Sequence, residues 1–278
     1  MESLMKIGIV INPNKEGTLA LSKEVSHWLE ERKHQVFKNL QQPIHEWIDD
    51  CGLLICLGGD GTLLSNAIHM KLRSVPIFGI NLGTVGFLTE IKPEEVYKEL
   101  DLFLSGKATI EDRLMLSCAV GKEKGGSVKE FNALNDIVLN REGLTRMLSV
   151  SVHINGELLT SFLGDGIILA TPTGSTAYSL SAGGVIVHPK LEAILITPIC
   201  PHASSLRPII IPPSEEVVLR VSPKHGESKA TVTMDGQTKV EIDESYVVRV
   251  KKAPLPIKIV KSTERNYFQT LREKFRIP

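Results

Sequence analysis

The sequence predicts an α/β N-terminal domain with a parallel sheet, followed by a mostly antiparallel, β-rich C-terminal domain. Two observations carry that expectation. Over the first hundred or so residues, short apolar runs alternate with helix-period patterns, as a βαβ layer structure requires. Beyond them the texture changes to β-branched segments of period two, broken by turn clusters that include Asn155-Gly156 and Asp235-Gly236. The expected domains are 1–105 and 106–252. A tail, 253–278, is expected to return to the first domain, because Tyr267, Phe268, Leu271 and Phe275 recur at helical spacing and need a surface to cover.

In chain order, residues 7–11 read as a buried strand, 19–31 as an amphipathic helix and 35–38 as a weaker strand. Residues 53–57 and 75–80 read as further buried strands, and between them a helix over 62–72 begins directly after a glycine cluster. In the second domain 134–140, 148–154, 166–170, 217–221, 230–234 and 246–250 read as strands. The Asn-Gly and Asp-Gly pairs are expected as two-residue hairpin turns, which need positive φ. Trp28 and Trp47 are expected to pack against the first sheet.

Composition narrows the function. With 42% hydrophobic and 23% charged residues in a 278-residue chain, this is an ordinary folded composition. Lys plus Arg equals Asp plus Glu at 32 each, so no global field favours nucleic acid or an acidic membrane, and an anionic substrate must be held by local groups. Neither nucleic acid nor membrane is expected as a partner. Cys51, Cys56, Cys118 and Cys200 form no CxxC pair and are expected as buried, inert thiols. The apolar run after Met5 is too short for a signal segment, and no apolar stretch reaches the ~18 residues of a membrane span, so the expected address is the cytoplasm.

Three segments carry chemistry. Gly58-Gly59-Asp60-Gly61-Thr62 sits between a buried strand and a helix, where glycines let backbone approach phosphates and helix N-terminal amides favour negative charge. An acidic residue in such a cradle repels phosphate unless it takes a proton from an attacking hydroxyl or holds a divalent cation, as phosphoryl transfer requires. The alternative is a plain helix cap. The loop is not a Walker A, because GxxxxGK[ST] is missing. The second segment runs from Thr171 to Gly184 as TPTGSTAYSLSAGG, preceded by Gly164-Asp165-Gly166. A strand there enters a Pro/Gly turn, and Ser175 or Thr176 caps a short helix ending at the paired glycines. Its hydroxyls and amides suit a nucleotide, or serve only a well-capped, closely packed helix. The third is Asn135-Asp136, a polar pair that belongs either at a strand's edge or in a site. Lys15 follows a strand end and is either a ligand contact or solvated.

In this order and spacing the three segments resemble the motifs of the NAD kinase family, especially its bacterial members. The likeness continues through residues 81–88, 196–202, Arg207-Pro208 and 267–271, nearly the whole chain. It departs at Val185, where relatives often have proline, and at Ala203-Ser204. The resemblance implies that NAD is phosphorylated on the 2′-hydroxyl of its adenosine ribose to NADP, with ATP or polyphosphate as donor. Asp60 is then the catalytic carboxylate, with Gly58, Gly59 and Thr62 near the donor phosphates. The NAD-binding set it implies is Gly61, Phe87 at the adenine, Asn135 and Asp136 at the riboses and adenine, Asp165 near the nicotinamide, Thr173, Thr176, Ala177, Tyr178 and Ser181, and Asp235 near the phosphates. Mg²⁺ or another divalent metal is expected to be bound mainly through donor phosphates, with no protein metal ligands assigned, and the family suggests a homodimer or homotetramer. The rivals are a lipid kinase with the same glycine motif, and a dinucleotide sensor without chemistry.

Overall fold

The structure, a computed structural model, describes residues 4–41, 43–67, 74–84, 86–142, 147–202, 205–222 and 229–276. The chain begins with β1 (Lys6–Ile11), α1 (Thr18–Glu31), β2 (Gln35–Lys38), β3 (Leu53–Gly58), α2 (Asp60–Ala67), β4 (Pro76–Asn81), α3 (Val96–Leu104) and β5 (Ile110–Arg113). It continues with β6 (Leu116–Lys122), β7 (Lys129–Ala133), β8 (Asp136–Arg141), β9 (Leu148–Ile154), β10 (Glu157–Gly164), β11 (Gly166–Ala170) and α4 (Tyr178–Ser181). It ends with β12 (Ile194–Ile199), β13 (Ile209–Ile211), β14 (Val217–Ser222), β15 (Ala230–Met234), β16 (Thr238–Ile242), β17 (Tyr246–Lys252), β18 (Ile257–Val260) and α5 (Tyr267–Phe275). Two compact units result, Met1–Asp112 with Ile257–Pro278, and Arg113–Pro256. No helix among the described residues is long and apolar enough to cross a membrane.

The first unit holds a six-stranded sheet of order β2-β1-β3-β4-β18-β5, in which β2 through β18 pair in parallel. Strand β3 is buried along its whole length, as a continuous apolar run inside a parallel sheet should be. Ile7, Ile9, Leu53, Ile55 and Phe78 share a core with Val25 and Leu29 of α1 and Val96 and Leu100 of α3. Trp47 lies against Gly8, where an added Cβ would come 2.2 Å from the indole, and stacks on Phe37. Trp28 packs against the same core and meets the ring of Tyr97. Helix α5 belongs to this unit and starts with a reciprocal cap between Asn266 and Gln269.

The strand order reverses at β1, whose sequence neighbour β2 lies on one side and β3 on the other. In an open parallel sheet, ligands bind beyond the carboxyl ends of the strands at such a switch point. The loops that leave β1, β3 and β4 there contain Lys15, the glycine cluster and Asn81 to Gly83.

The second unit is built from two six-stranded antiparallel sheets, β10-β9-β14-β17-β6-β7 and β13-β12-β11-β8-β15-β16. Alternation decides what each face buries: Ile137, Leu139, Ile167 and Leu169 join Leu116, Cys118, Val150 and Val248 in one core, while Val138, Ile168 and Ala170 point to the other face and meet Val187 and Leu195.

Four sequence expectations need correction. The helix after the glycine cluster begins at Asp60, because the Gly59 carbonyl already accepts the Leu63 amide, and expected residues 68–72 lie outside the described residues. Asn155-Gly156 makes a two-residue turn with both φ positive, but Asp235-Gly236-Gln237 is a three-residue loop, since Met234 pairs with Thr238. Helix α4 has Ala177 at its N-cap and no side-chain cap, because the Ser175 hydroxyl instead donates to the Pro172 carbonyl and accepts from the Val187 amide. Cys51, Cys56 and Cys118 are buried, with burial pushing the thiols of Cys56 and Cys118 up, but Cys200 is exposed at a left-handed turn after β12.

Candidate active site

Asp60 stands in the first turn of α2, yet its carboxylate does not cap that helix. Oδ1 accepts from the Leu88 amide at 3.2 Å, the Thr89 amide at 3.0 Å and the Thr89 hydroxyl at 2.9 Å, while Oδ2 accepts from the Phe87 amide at 2.9 Å. The plain-cap alternative is therefore replaced by a long-range clamp on the segment after β4. Gly58 is required nearby, because a Cβ on it would fall 2.2 Å from Thr62 Oγ1. Gly61 has open space around it, and Gly59 meets only the Lys15 ammonium, at 3.7 Å from its built Cβ. Lys15 is not free in solvent: its ammonium donates to the Gly58 carbonyl at 3.0 Å and to Asn81 Oδ1 at 3.3 Å. Phe87, held by its own amide on Asp60, sets its ring 6.0 Å from both Tyr267 and Phe275 of α5.

A second carboxylate clamp organises the other unit. Asp235, at the β15–β16 loop, accepts from the amides of Leu134 at 2.8 Å, Asn135 at 2.7 Å and Asp136 at 3.0 Å. This fixes Asn135-Asp136 at the start of β8 and satisfies donors that burial would otherwise strand. The TPTG turn is locked on the same segment: the Thr171 hydroxyl donates to the Leu134 carbonyl at 2.5 Å, and the Thr171 amide to the Asn135 carbonyl at 2.9 Å. Gly174 leaves no room for a side chain, since its Cβ would sit 2.0 Å from the Asn135 carbonyl oxygen. Asp136 is buried, and its carboxyl is pushed up to about 7, first by desolvation and then by the charge of Asp235. Burial also raises Asp235, and its three backbone bonds offset only part of that rise. Of the pair, Asp136 is the one that carries a proton near neutrality, because Asp235 has the amides to stabilise its anion.

The Asp235 clamp borders a pocket of about 400 Å³ within the second unit that brings together Asn135, Asp136, Ala177, Tyr178 and Asp235, with Val138, Asn140, Thr231, Thr233 and Gly236. Thr173 is buried beside Arg113, whose guanidinium lies 3.4 Å from its hydroxyl, and the Thr176 hydroxyl donates to the Thr173 carbonyl. Ser181 is exposed at the end of α4, and Asp165 forms an ion pair with Arg141 at 2.8 Å. Neither Ser181 nor Asp165 lines the pocket. Residues that sequence reasoning passed over are Asn140, Thr231 and Thr233. Their signal was present in β15, where Thr231 and Thr233 alternate with apolar residues, and β8 sets Asn140 opposite Thr231 and Val138 opposite Thr233. Arg113 gave no such signal. Among the described residues no three His, Cys, Asp or Glu side chains gather as a metal cluster.

Comparisons with known proteins agree on one family. Residues 38–108 match the ATP-NAD kinase N-terminal domain and residues 134–262 the ATP-NAD kinase C-terminal domain. The NAD kinase of Ruminiclostridium cellulolyticum is 39% identical over 281 residues, covering 98% of each chain, and that of Syntrophotalea carbinolica is 39% identical over 282 residues with 98% of each covered. Among solved structures, yeast NADH kinase complexed with NADH superposes with a TM-score of 0.91 at 28% identity, covering 99% of this chain and 88% of that one. The NAD kinase from Archaeoglobus fulgidus in complex with ATP gives 0.80 at 28% identity, covering 96% and 99%. With both domain models matched in order and full-length relatives well above a fold-only likeness, the chain belongs to the NAD kinase family.

Proposed function

We propose that the protein transfers the terminal phosphoryl group of ATP, or of polyphosphate, to the 2′-hydroxyl of the adenosine ribose of NAD, with Asp60 as the base. The observation that carries this is the carboxylate held at the switch point of a parallel sheet with an acceptor site left on Oδ2. A carboxylate offers two acceptor sites per oxygen, and Oδ2 uses one. The ribose O–H bond breaks as its oxygen forms a bond to the transferred phosphorus, the proton passes to Asp60, and the phosphorus bond to the leaving group breaks, releasing ADP from ATP or a polyphosphate one unit shorter. Positioning and fixed dipoles supply most of the rate in such a transfer.

The donor phosphates are assigned to the backbone of Gly58 and Gly59, beside Thr62, and Gly61 to the dinucleotide. A Cβ on Gly61 would meet nothing within 4 Å, so its backbone is open to approach. NAD is assigned to Asn135, Asp136, Ala177, Tyr178 and Asp235 around the pocket, to Thr173 and Thr176 of the turn that leads into Ala177, and to Phe87. Asp165 and Ser181 are kept as outer contacts of the dinucleotide. A divalent cation such as Mg²⁺ is read as entering on the donor's phosphates, where it offsets their charge. The protein is read as a cytoplasmic homodimer or homotetramer, and a monomeric mass in light scattering at micromolar concentration would exclude the oligomer.

One experiment tests the activity. Purified protein, NAD, Mg²⁺ and each donor in turn are assayed for NADP; NADP formation is expected with at least one donor, and none with either overturns the reading.

A further inference from the structure

The carboxylate of Asp60 is one end of a polar chain, buried at its centre, that leads across three strand ends to Lys15. Asn81, at the end of β4, is 4% exposed and Thr89 is fully buried. Asn81 Oδ1 accepts from the Lys15 ammonium at 3.3 Å and from the Gly83 amide at 2.9 Å, so both of its partners are donors. Its nitrogen must then donate, and it does so to the Thr84 carbonyl at 2.7 Å and to the Thr89 hydroxyl at 2.9 Å. A hydroxyl that accepts from Asn81 has its one hydrogen left for Asp60 Oδ1, 2.9 Å away. An ammonium only donates and an ionised carboxylate only accepts, so every bond in the chain has one permitted direction.

That direction has a consequence for the two carboxylate oxygens. Oδ1 takes the Thr89 hydroxyl and two amides and is fully used, whereas Oδ2 takes the Phe87 amide alone. Thr89 reaches this place because Gly79 has no side chain: a Cβ there would lie 3.0 Å from the Leu88 carbonyl and from Thr89 itself.

We propose that Asn81 and Thr89 are positioning residues for phosphoryl transfer, and that the Lys15–Asn81–Thr89 relay locks Oδ1 so that Oδ2 is the oxygen presented to the substrate hydroxyl. The inference rests on the reading of Asp60 as the base. Thr89 touches no substrate, and it acts through the orientation of Asp60.

The test compares Thr89→Val, which keeps the side-chain shape and removes the hydroxyl, with Thr89→Ser, which keeps the hydroxyl and removes a methyl. Thr89→Val is expected to lower kcat at least ~10-fold with the KM for NAD within about 3-fold of wild type, since supporting hydrogen bonds and small misplacements act at this scale. Thr89→Ser is expected to stay within about 3-fold of wild type in both. Equal loss in the two variants would assign the effect to the methyl's packing and overturn the relay, as would an unchanged kcat in Thr89→Val. If Thr89→Val does not fold, Asn81→Asp carries the same test. It is isosteric but cannot donate to Thr89, and it is expected to lose kcat with KM preserved; full activity overturns the proposal. Asp60→Asn in the same assay separates the two levels. If it is inactive while Thr89→Val is normal, only the relay falls; if it is active, the base reading falls and the relay with it.

Discussion

A Cβ built on Gly86 falls 2.0 Å from Oδ1 of Asp60 and 2.4 Å from its carboxyl carbon, so the glycine exists to let the carboxylate lie against the main chain. Four donors hold that carboxylate, and it has nowhere to retreat without releasing them.

Gly86→Ala is therefore expected to destabilise the protein by about 1–3 kcal/mol, the usual cost of forcing atoms into a closed site. Turnover should fall with it, because the base is displaced, while NAD affinity, read by titration calorimetry, should change little. Wild-type turnover with unchanged stability in a denaturant titration would contradict the close approach.

Asp60→Asn should lower kcat by ~10²–10⁴-fold if the carboxylate is the base. It should also cost stability. An amide with its oxygen at the Oδ1 position turns its NH₂ toward the part-buried Phe87 amide, and a stranded donor there costs at most the ~1–3 kcal/mol of a fully buried one. Both losses are measurable in one preparation, by assay and by thermal melt. A variant that keeps more than about a tenth of wild-type turnover rejects the catalytic role, well short of the smallest loss a positioned base predicts.

Asp136 makes stability depend on pH with a definite sign. Its carboxyl is raised from 3.8 to about 7, so between those values the folded protein holds a proton that the unfolded chain has released. The stabilisation is fully present below the ordinary carboxylate range and is lost as pH rises through about 7. Wild-type urea midpoints are expected to fall between pH 5 and pH 8, and the fall should be smaller in Asp136→Asn. An identical pH dependence in the two proteins would show that this proton is not there.

Phe87→Ala removes the ring that meets Tyr267 and Phe275, two aromatic pairs of the kind that contribute about 0.5–1.5 kcal/mol each. Amide exchange over residues 267–275 should accelerate, and the KM for NAD should rise if the same ring also lines the adenine site. Faster exchange with an unchanged KM would leave Phe87 a packing residue alone.

Much of this molecule is determined by local pattern. Buried strands such as β1, β3 and β4, the helix period of α1 and α5, and the alternation of β9 are written in the order of apolar and polar side chains, because burial on one or both faces acts on residues a few positions apart. The glycine cluster with Asp60, the pair Asn135-Asp136 and the TPTG turn were legible for the same reason: each is a short segment whose residue types announce an exposed backbone or a polar site. Tertiary structure alone decided what Asp60 and Asp235 hold. Their partners lie 27–29 and 99–101 residues away in sequence, and nothing in a local window shows which backbone amides a carboxylate will meet. The relay through Asn81 and Thr89, the need for glycine at 86 and 174, and the seat of Lys15 follow from the same cause. Each is a close approach of loops from different strands, and it exists only once sheet order and register have brought those strand ends together.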